Sequence, residues 1–284
     1  MRWIFLQVVL LFAAGCSGNA DNAEREIRDQ HVDELKAILV EDFERTRRGV
    51  QTASERFVGG FDPDRTSDDE REQAMRTALR HVQLPPRGIP EFVASPMSFL
   101  AAIGKDGVVI ARDVREGEED RMRGQDYGER YEVVRRALTE GVAGYELAEF
   151  PAGAEGEPAS WSMMFVAPVR VRGEVQGAIA AGIPLWRMAQ KIGRQIQLDH
   201  ASETGLVIWV YAYKGDDLHH FGTAELLDPL IPDGTARRSG LDRSPHGFTG
   251  EIDLNGRMYG FGVLPTPRLG ADDVGFIIVR SDPV

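Results

Sequence analysis

Few residues in this chain have the types and spacing that chemistry needs. His219 and His220 stand beside Asp216 and Asp217, with His246 further on, and such a set of imidazoles and carboxylates suits a transition metal. Adjacent residues on a strand point to opposite faces, however, so His219 and His220 cannot readily share one ion, and a polar hairpin end is the plainer reading. Ser244 and His246 lack the glycine-flanked elbow that exposes a nucleophilic serine and read as loop. The chain has no Gly-x-Ser-x-Gly, no His-Glu-x-x-His, no lysine-bearing phosphate loop and no Cys-x-x-Cys-His. The expectation is therefore a protein that is not an enzyme, with no metal site and no cofactor. What remains are side chains suited to holding a small organic molecule. The rings of Tyr127, Tyr131, Trp161 and Phe165, with Met163, could stack on an apolar or planar body, and Arg130 could hold a carboxylate by two parallel hydrogen bonds. Plain core packing competes for Trp161, Met163 and Phe165, and a solvated helix face competes for Arg130.

The elements that would position these residues centre on Trp161 to Ile183. This stretch reads as two strands joined by a tight turn at Arg172-Gly173. Trp161, Met163, Phe165, Ala167, Val169 and Val171 share one face at period two, and the returning strand is small and apolar enough to lie mid-sheet. Before it, SFLAAI (98–103) and Val108 to Ala111 form a hairpin across Gly104-Lys105-Asp106-Gly107. Asp126-x-x-Glu129 opens a helix carrying Val133, Val134, Ala137 and Leu138, and Tyr145 to Phe150 alternates as a further strand.

Earlier still, residues 23–57 carry Val32, Leu35, Leu39, Phe43, Val50, Ala53 and Phe57 at helical spacing, a stalk-like helix of roughly 50 Å. Its stripe must pack on the body or on a second copy. Ser67-x-x-Glu70 caps a second helix that runs to about Val82. After Leu185 comes another helix, then a strand (206–213), its partner (218–221), a short helix (224–230, capped by Thr223), a hairpin across Asn255-Gly256, and Val274 to Val279 closing the sheet.

The N-terminus is the most specific signal. Arg2, an apolar run from Trp3 to Ala14 broken by Gln7, and Ala13-Ala14-Gly15-Cys16 describe a secretory signal too short to span a bilayer comfortably. Around Cys16, the single cysteine, the stretch resembles the lipobox of bacterial lipoproteins, with Ala13 where leucine is commonest. The resemblance implies lipidation at Cys16 and a cell-envelope location. Ser17 in place of aspartate points to the outer membrane facing the periplasm. With no second cysteine, internal disulfides and thiol redox chemistry are excluded. The net charge of −12 repels nucleic acid.

AAIGKDGVVIARD (101–113), RGQDYGERYEVVRRAL (123–138) and MFVAPVRVRGEVQGAIAAGIPL (164–185) resemble, in layout, the extracellular Cache sensor domains, a branch of the PAS-like fold. The resemblance implies an α+β chain. A signal peptide (1–15) and tether (16–22) precede helices over 23–84, a first PAS-like antiparallel domain follows over 85–185, and a linker helix with a second, smaller one occupies 186–284. It also implies a pocket between the first sheet and the segment crossing it, where Tyr127, Arg130, Tyr131, Trp161, Met163 and Phe165 are the candidates. The arginine-tryptophan-tyrosine signature of amino-acid-binding double Cache domains is not visible, so amino acids are not favoured. Expected partners are a small organic ligand, the membrane through Cys16, a second copy through the long helix, and a separate signalling protein, since no output domain follows. A non-catalytic scaffold with filled cores is the competing reading. Cys16→Ser should move the protein from the membrane fraction to the soluble fraction on cell fractionation; a variant that stays with the membrane would refute lipidation.

Overall fold

The computed structural model describes residues 24–281 apart from 65–67, 94, 115–116, 151–159, 221–227, 229–230, 255–256 and 272. The signal-like stretch, Cys16, the capping Ser67 and nearly all of the helix expected over 224–230 lie outside the described residues.

The chain is helical from Glu24, the first described residue, passes through a π-helical turn at Ile27–His31 and continues as α1, Val32–Arg56. The stripe expected from spacing is the buried one: Leu35, Leu39, Val50, Ala53 and Phe57 are all nearly inaccessible. The chain itself covers that stripe. Then come α2 (Asp68–His81), α3 (Pro90–Val93), β1 (Phe99–Gly104), β2 (Val109–Arg112), α4 (Tyr127–Arg130), α5 (Glu132–Thr139), β3 (Gly144–Phe150), β4 (Ser160–Val171) and β5 (Glu174–Pro184). The second half holds α6 (Leu185–Asp199), β6 (Val207–Lys214), β7 (Asp217–His219), α7 (Gly234–Arg243), β8 (Phe248–Leu254), β9 (Arg257–Pro265) and β10 (Val274–Ser281). Among the described residues no helix is long and apolar enough to cross a membrane.

The strands form two antiparallel five-stranded sheets of one plan, β2-β1-β5-β4-β3 and β7-β6-β10-β9-β8. Two compact units contain them. One gathers Ala37–Lys191 and Pro267–Asp272; the other gathers the chain up to Lys36, Ile192–Thr266 and the chain from Asp273 onward. β5 is central in the first sheet, as its run of small apolar residues predicts. β10 closes the second sheet from its centre, between β6 and β9. Burial of every residue of β10 accords with that place, because an edge strand keeps a solvated side. Helix α7 was not legible in the sequence: GTARRSGLDR has two glycines and little apolar periodicity, and it is held by Asp233, whose carboxylate accepts from Ala236 N at 2.8 Å.

The β4–β5 turn is the expected one, with Arg172 at φ 53° and Gly173 at 90°. The facing of β4 is not as expected, because both of its faces are buried from Ser162 to Ala167. Phe165 stacks edge-on against Phe43 of α1 at 4.9 Å, and Tyr145 on β3 meets Phe43 at 4.5 Å. The opposite parity, Met164 and Val166, joins Phe99, Ala101, Ala178 and Ala180 beneath α4 and α5. Small residues on β5 make room there: a side chain at Gly182 would begin 2.1 Å from the Phe99 ring. Phe165 is 1% exposed, so Phe165→Ala should cost about 3–5 kcal/mol in denaturant unfolding, whereas Arg172→Ala at the exposed turn should leave stability nearly unchanged. Equal effects would refute the placement of Phe165 in a packed core.

Candidate functional site

The side of the first sheet covered by α4 and α5 is built from local chemistry. Asp126 adopts an extended conformation and its carboxylate accepts from Glu129 N at 2.8 Å, capping α4 as the sequence signature requires. Tyr127 N and Gly128 N both donate to Gly107 O, at 2.9 and 3.1 Å, which pins this segment to the β1–β2 turn. The approach is so close that a side chain on Gly107 would begin 2.9 Å from Gly128 Cα. Tyr127 and Tyr131 are thereby driven inward, 1% and 5% exposed.

Their rings meet at 4.8 Å, edge to face, and Tyr131 lies 5.5 Å from Phe150, which in turn lies 5.3 Å from Phe99. Aromatic pairs at such separations add to the area they bury. Arg130 stands at the rim, exposed, with its guanidinium carbon 5.3 Å from the centre of the Tyr131 ring. The Tyr131 hydroxyl donates weakly to Glu149 O at 3.4 Å. Glu146 Oε2 accepts from Val133 N at 3.0 Å, so this carboxylate caps α5 from the neighbouring strand. Burial raises the Glu146 pKa, and the Val133 bond and Arg135 only partly offset it. Burial likewise holds the Tyr127 phenol above its ordinary value, so it stays neutral. The rings pack against one another and the sheet, with a guanidinium and a carboxylate near their margin, and among the described residues here no nucleophile is paired with a base.

Of the residues singled out from the sequence, Tyr127, Tyr131 and Arg130 come together here. Met163 and Phe165 do not. They face α1, and Trp161, half-buried, shares their parity. Met122, Met164, Phe150 and Glu146 were missed and take the places beneath the crossing segment. For Met164 the signal was the even parity of β4, which was set aside because Ser162, Arg170 and Arg172 occupy it. The aromatic side chains fill the space under α4 and α5. Among the described residues of this unit a cleft of about 380 Å³ opens elsewhere, between the end of α1 and α2, floored by Phe57 and Met75 and rimmed by Arg56, His81 and Arg87.

In the second unit His219 ends β7 and His220 follows it. His220 Nε2 lies 2.9 Å from Asp228 Oδ2, while burial lowers the His219 pKa. Among the described residues the grouping whose donor atoms converge is His31, Glu34 and His200, which are far apart in sequence.

A long N-terminal helix and two five-stranded antiparallel sheets, each with its last strand at the centre, make the α+β fold expected from the sequence. Among solved structures, the chain is similar to the ligand-binding domain of the Campylobacter jejuni chemoreceptor Tlp3 in complex with L-valine, at 12% identity and TM-score 0.54 over 91% of this chain and 93% of that one. It resembles the same domain in complex with L-norvaline at 13% identity and TM-score 0.54, over 92% of each. The sensor domain of the V. cholerae histidine kinase DctB is similar at 13% identity and TM-score 0.51, over 90% of this chain and 96% of that one. No family model and no curated protein matches.

Because Glu146 binds its proton more tightly folded than unfolded, it weakens the fold as pH rises through and above the ordinary glutamate value. Glu146→Gln keeps an acceptor for Val133 N and removes the buried charge, so the variant should melt higher at pH 7 and lose that part of the pH dependence. A lower melting temperature at pH 7 would show that the charge is needed.

Proposed function

We propose that this is a lipid-anchored cell-envelope protein that senses a small organic molecule on the crossing side of its first sheet and passes the signal to a separate partner. The observation that carries it is the capped α4 segment, which sets Tyr127 and Tyr131 against the sheet with Arg130 at their rim, within a Cache-type fold. The ligand is an apolar or planar body bearing a carboxylate, taken by displacement of Phe150 or Tyr131 from the packed face. Anchoring through Cys16 and an outer-membrane address complete this reading. The filled face favours a second reading, a non-catalytic scaffold whose sheets bind only protein.

The two readings separate in a thermal-shift screen of the chain from Ser17 onward against organic acids, amines, amino acids and purines. A ligand at a hundred times its Kd should add about 2.7 kcal/mol, a rise of several degrees, and Arg130→Ala should abolish the shift without lowering the ligand-free melting temperature. A flat screen would overturn ligand sensing and leave the scaffold.

A further inference from the structure

Five side chains of the second unit close a ring of hydrogen bonds. His31 Nδ1 lies 2.7 Å from Glu34 Oε2, Glu34 Oε1 lies 3.1 Å from His200 Nε2, and His200 Nδ1 lies 2.6 Å from Glu203 Oε1. Arg280 completes the circuit by donating Nη2–H to Glu203 Oε2 at 2.8 Å and Nη1–H to His31 Nε2. The members come from three places: the π turn and start of α1, the segment after α6, and β10 at the centre of the sheet. His31 is fully buried and Arg280 is 4% exposed.

The proton positions follow from the donors. Arginine can only donate, so His31 Nε2 must be an acceptor and Nδ1 must carry the proton that goes to Glu34. His31 is therefore neutral. Both nitrogens of His200 face carboxylates, and only the imidazolium can donate to both. The ring thus alternates Glu34⁻, His200⁺, Glu203⁻ and Arg280⁺, with neutral His31 closing it. A transition metal fits poorly among His31, Glu34 and His200. Binding at His31 Nδ1 would force a proton onto Nε2, against the Arg280 donor, where metal-bound histidines carry an acceptor instead.

We infer that this ring is a proton-operated latch that fastens the N-terminal helical segment to β10 while His200 is charged and loosens when His200 gives up its proton. The charged groups facing the two imidazoles are Glu34 from the helix, Glu203 from the segment after α6 and Arg280 from β10. The imidazoles also face each other at 4.9 Å, and the Gln30 amide touches Glu34 and His200. Burial disfavours the charge on His200, but bonds to Glu203 and Glu34 outweigh it and raise its pKa. Burial lowers the His31 pKa, and Arg280 adds to this against the Glu34 bond. The signs are opposed. The His200 contribution is complete below the ordinary histidine value and is lost as pH rises through the raised one. The His31 contribution is present above the ordinary value and is lost as pH falls. The latch is tightest near the ordinary histidine pKa and opens on the alkaline side through His200.

Hydrogen exchange of the full chain between pH 6 and 9, corrected for intrinsic exchange, tests this. Protection of residues 24–36 should fall as pH rises from the ordinary histidine value through the raised His200 value, by up to tenfold per pH unit, the slope of one proton, and level off above it. Amides of β1–β5 should not follow. His200→Gln should remove the slope. If that variant does not fold, imidazole NMR of the unaltered chain decides: His200 should titrate above the ordinary value and His31 should remain the Nδ1–H tautomer. An unchanged slope in His200→Gln, or His200 titrating at or below the ordinary value, overturns the latch. So would stoichiometric Zn²⁺ binding that perturbs both imidazoles, which would make the cluster a metal site.

Discussion

A strand buried on both faces has to be covered on both, and the first sheet is arranged around that requirement. β4 and β5 have almost no polar side chains across their middle, so neither face of their ladder can meet water without a large penalty. One face is covered by α1 through Phe43, the other by α4 and α5 through Tyr127, Tyr131 and Val133. The long helix is thus a structural lid for the sheet over the part that reaches Phe43, and the crossing segment is a second lid. Anything that binds under the second lid must compete with aromatic rings already in place.

That same requirement explains which parts of the fold were legible in the sequence. Turns and caps act through nearest neighbours, so Asp126, Arg172-Gly173 and the Gly104–Gly107 turn could be read where they stand. The order of elements followed from them. Facing could not be read, because a strand buried on both sides gives period two no meaning: Met163 and Met164 are equally apolar and equally buried. Choosing the Trp161 parity for the site was a choice between two apolar faces, and the crossing segment lies over the other. Glu146 was invisible for a different reason. It caps a helix from an adjacent strand, and such a partner has no fixed offset in sequence.

The ring joining His31 and Arg280 lies at the far limit of legibility. Its two His-x-x-Glu spacings, His31 with Glu34 and His200 with Glu203, are present in the sequence, but each alone reads there as an ordinary i, i+3 pair. Only the return of β10 to the centre of its sheet brings Arg280 between them. The central position of that strand is what makes the ring possible.

The two sheets share a strand order, yet they differ in what lies over them. In the first, the crossing segment presents neutral phenols to the sheet and keeps its arginine outside. In the second, α7 carries Arg237 inward, 2% exposed, with Nη1 and Nη2 donating to Pro232 O at 2.7 Å and Gly215 O at 2.8 Å. Its guanidinium lies 5.0 Å from the Tyr213 ring, whose phenol burial pushes up to about 12. Burying a guanidinium against carbonyls carries a desolvation cost that only fixed geometry offsets. A cation fastened in this way ties the β6–β7 turn to α7. The second sheet is therefore fastened through a buried cation where the first packs neutral rings, with Arg130 left exposed at their rim.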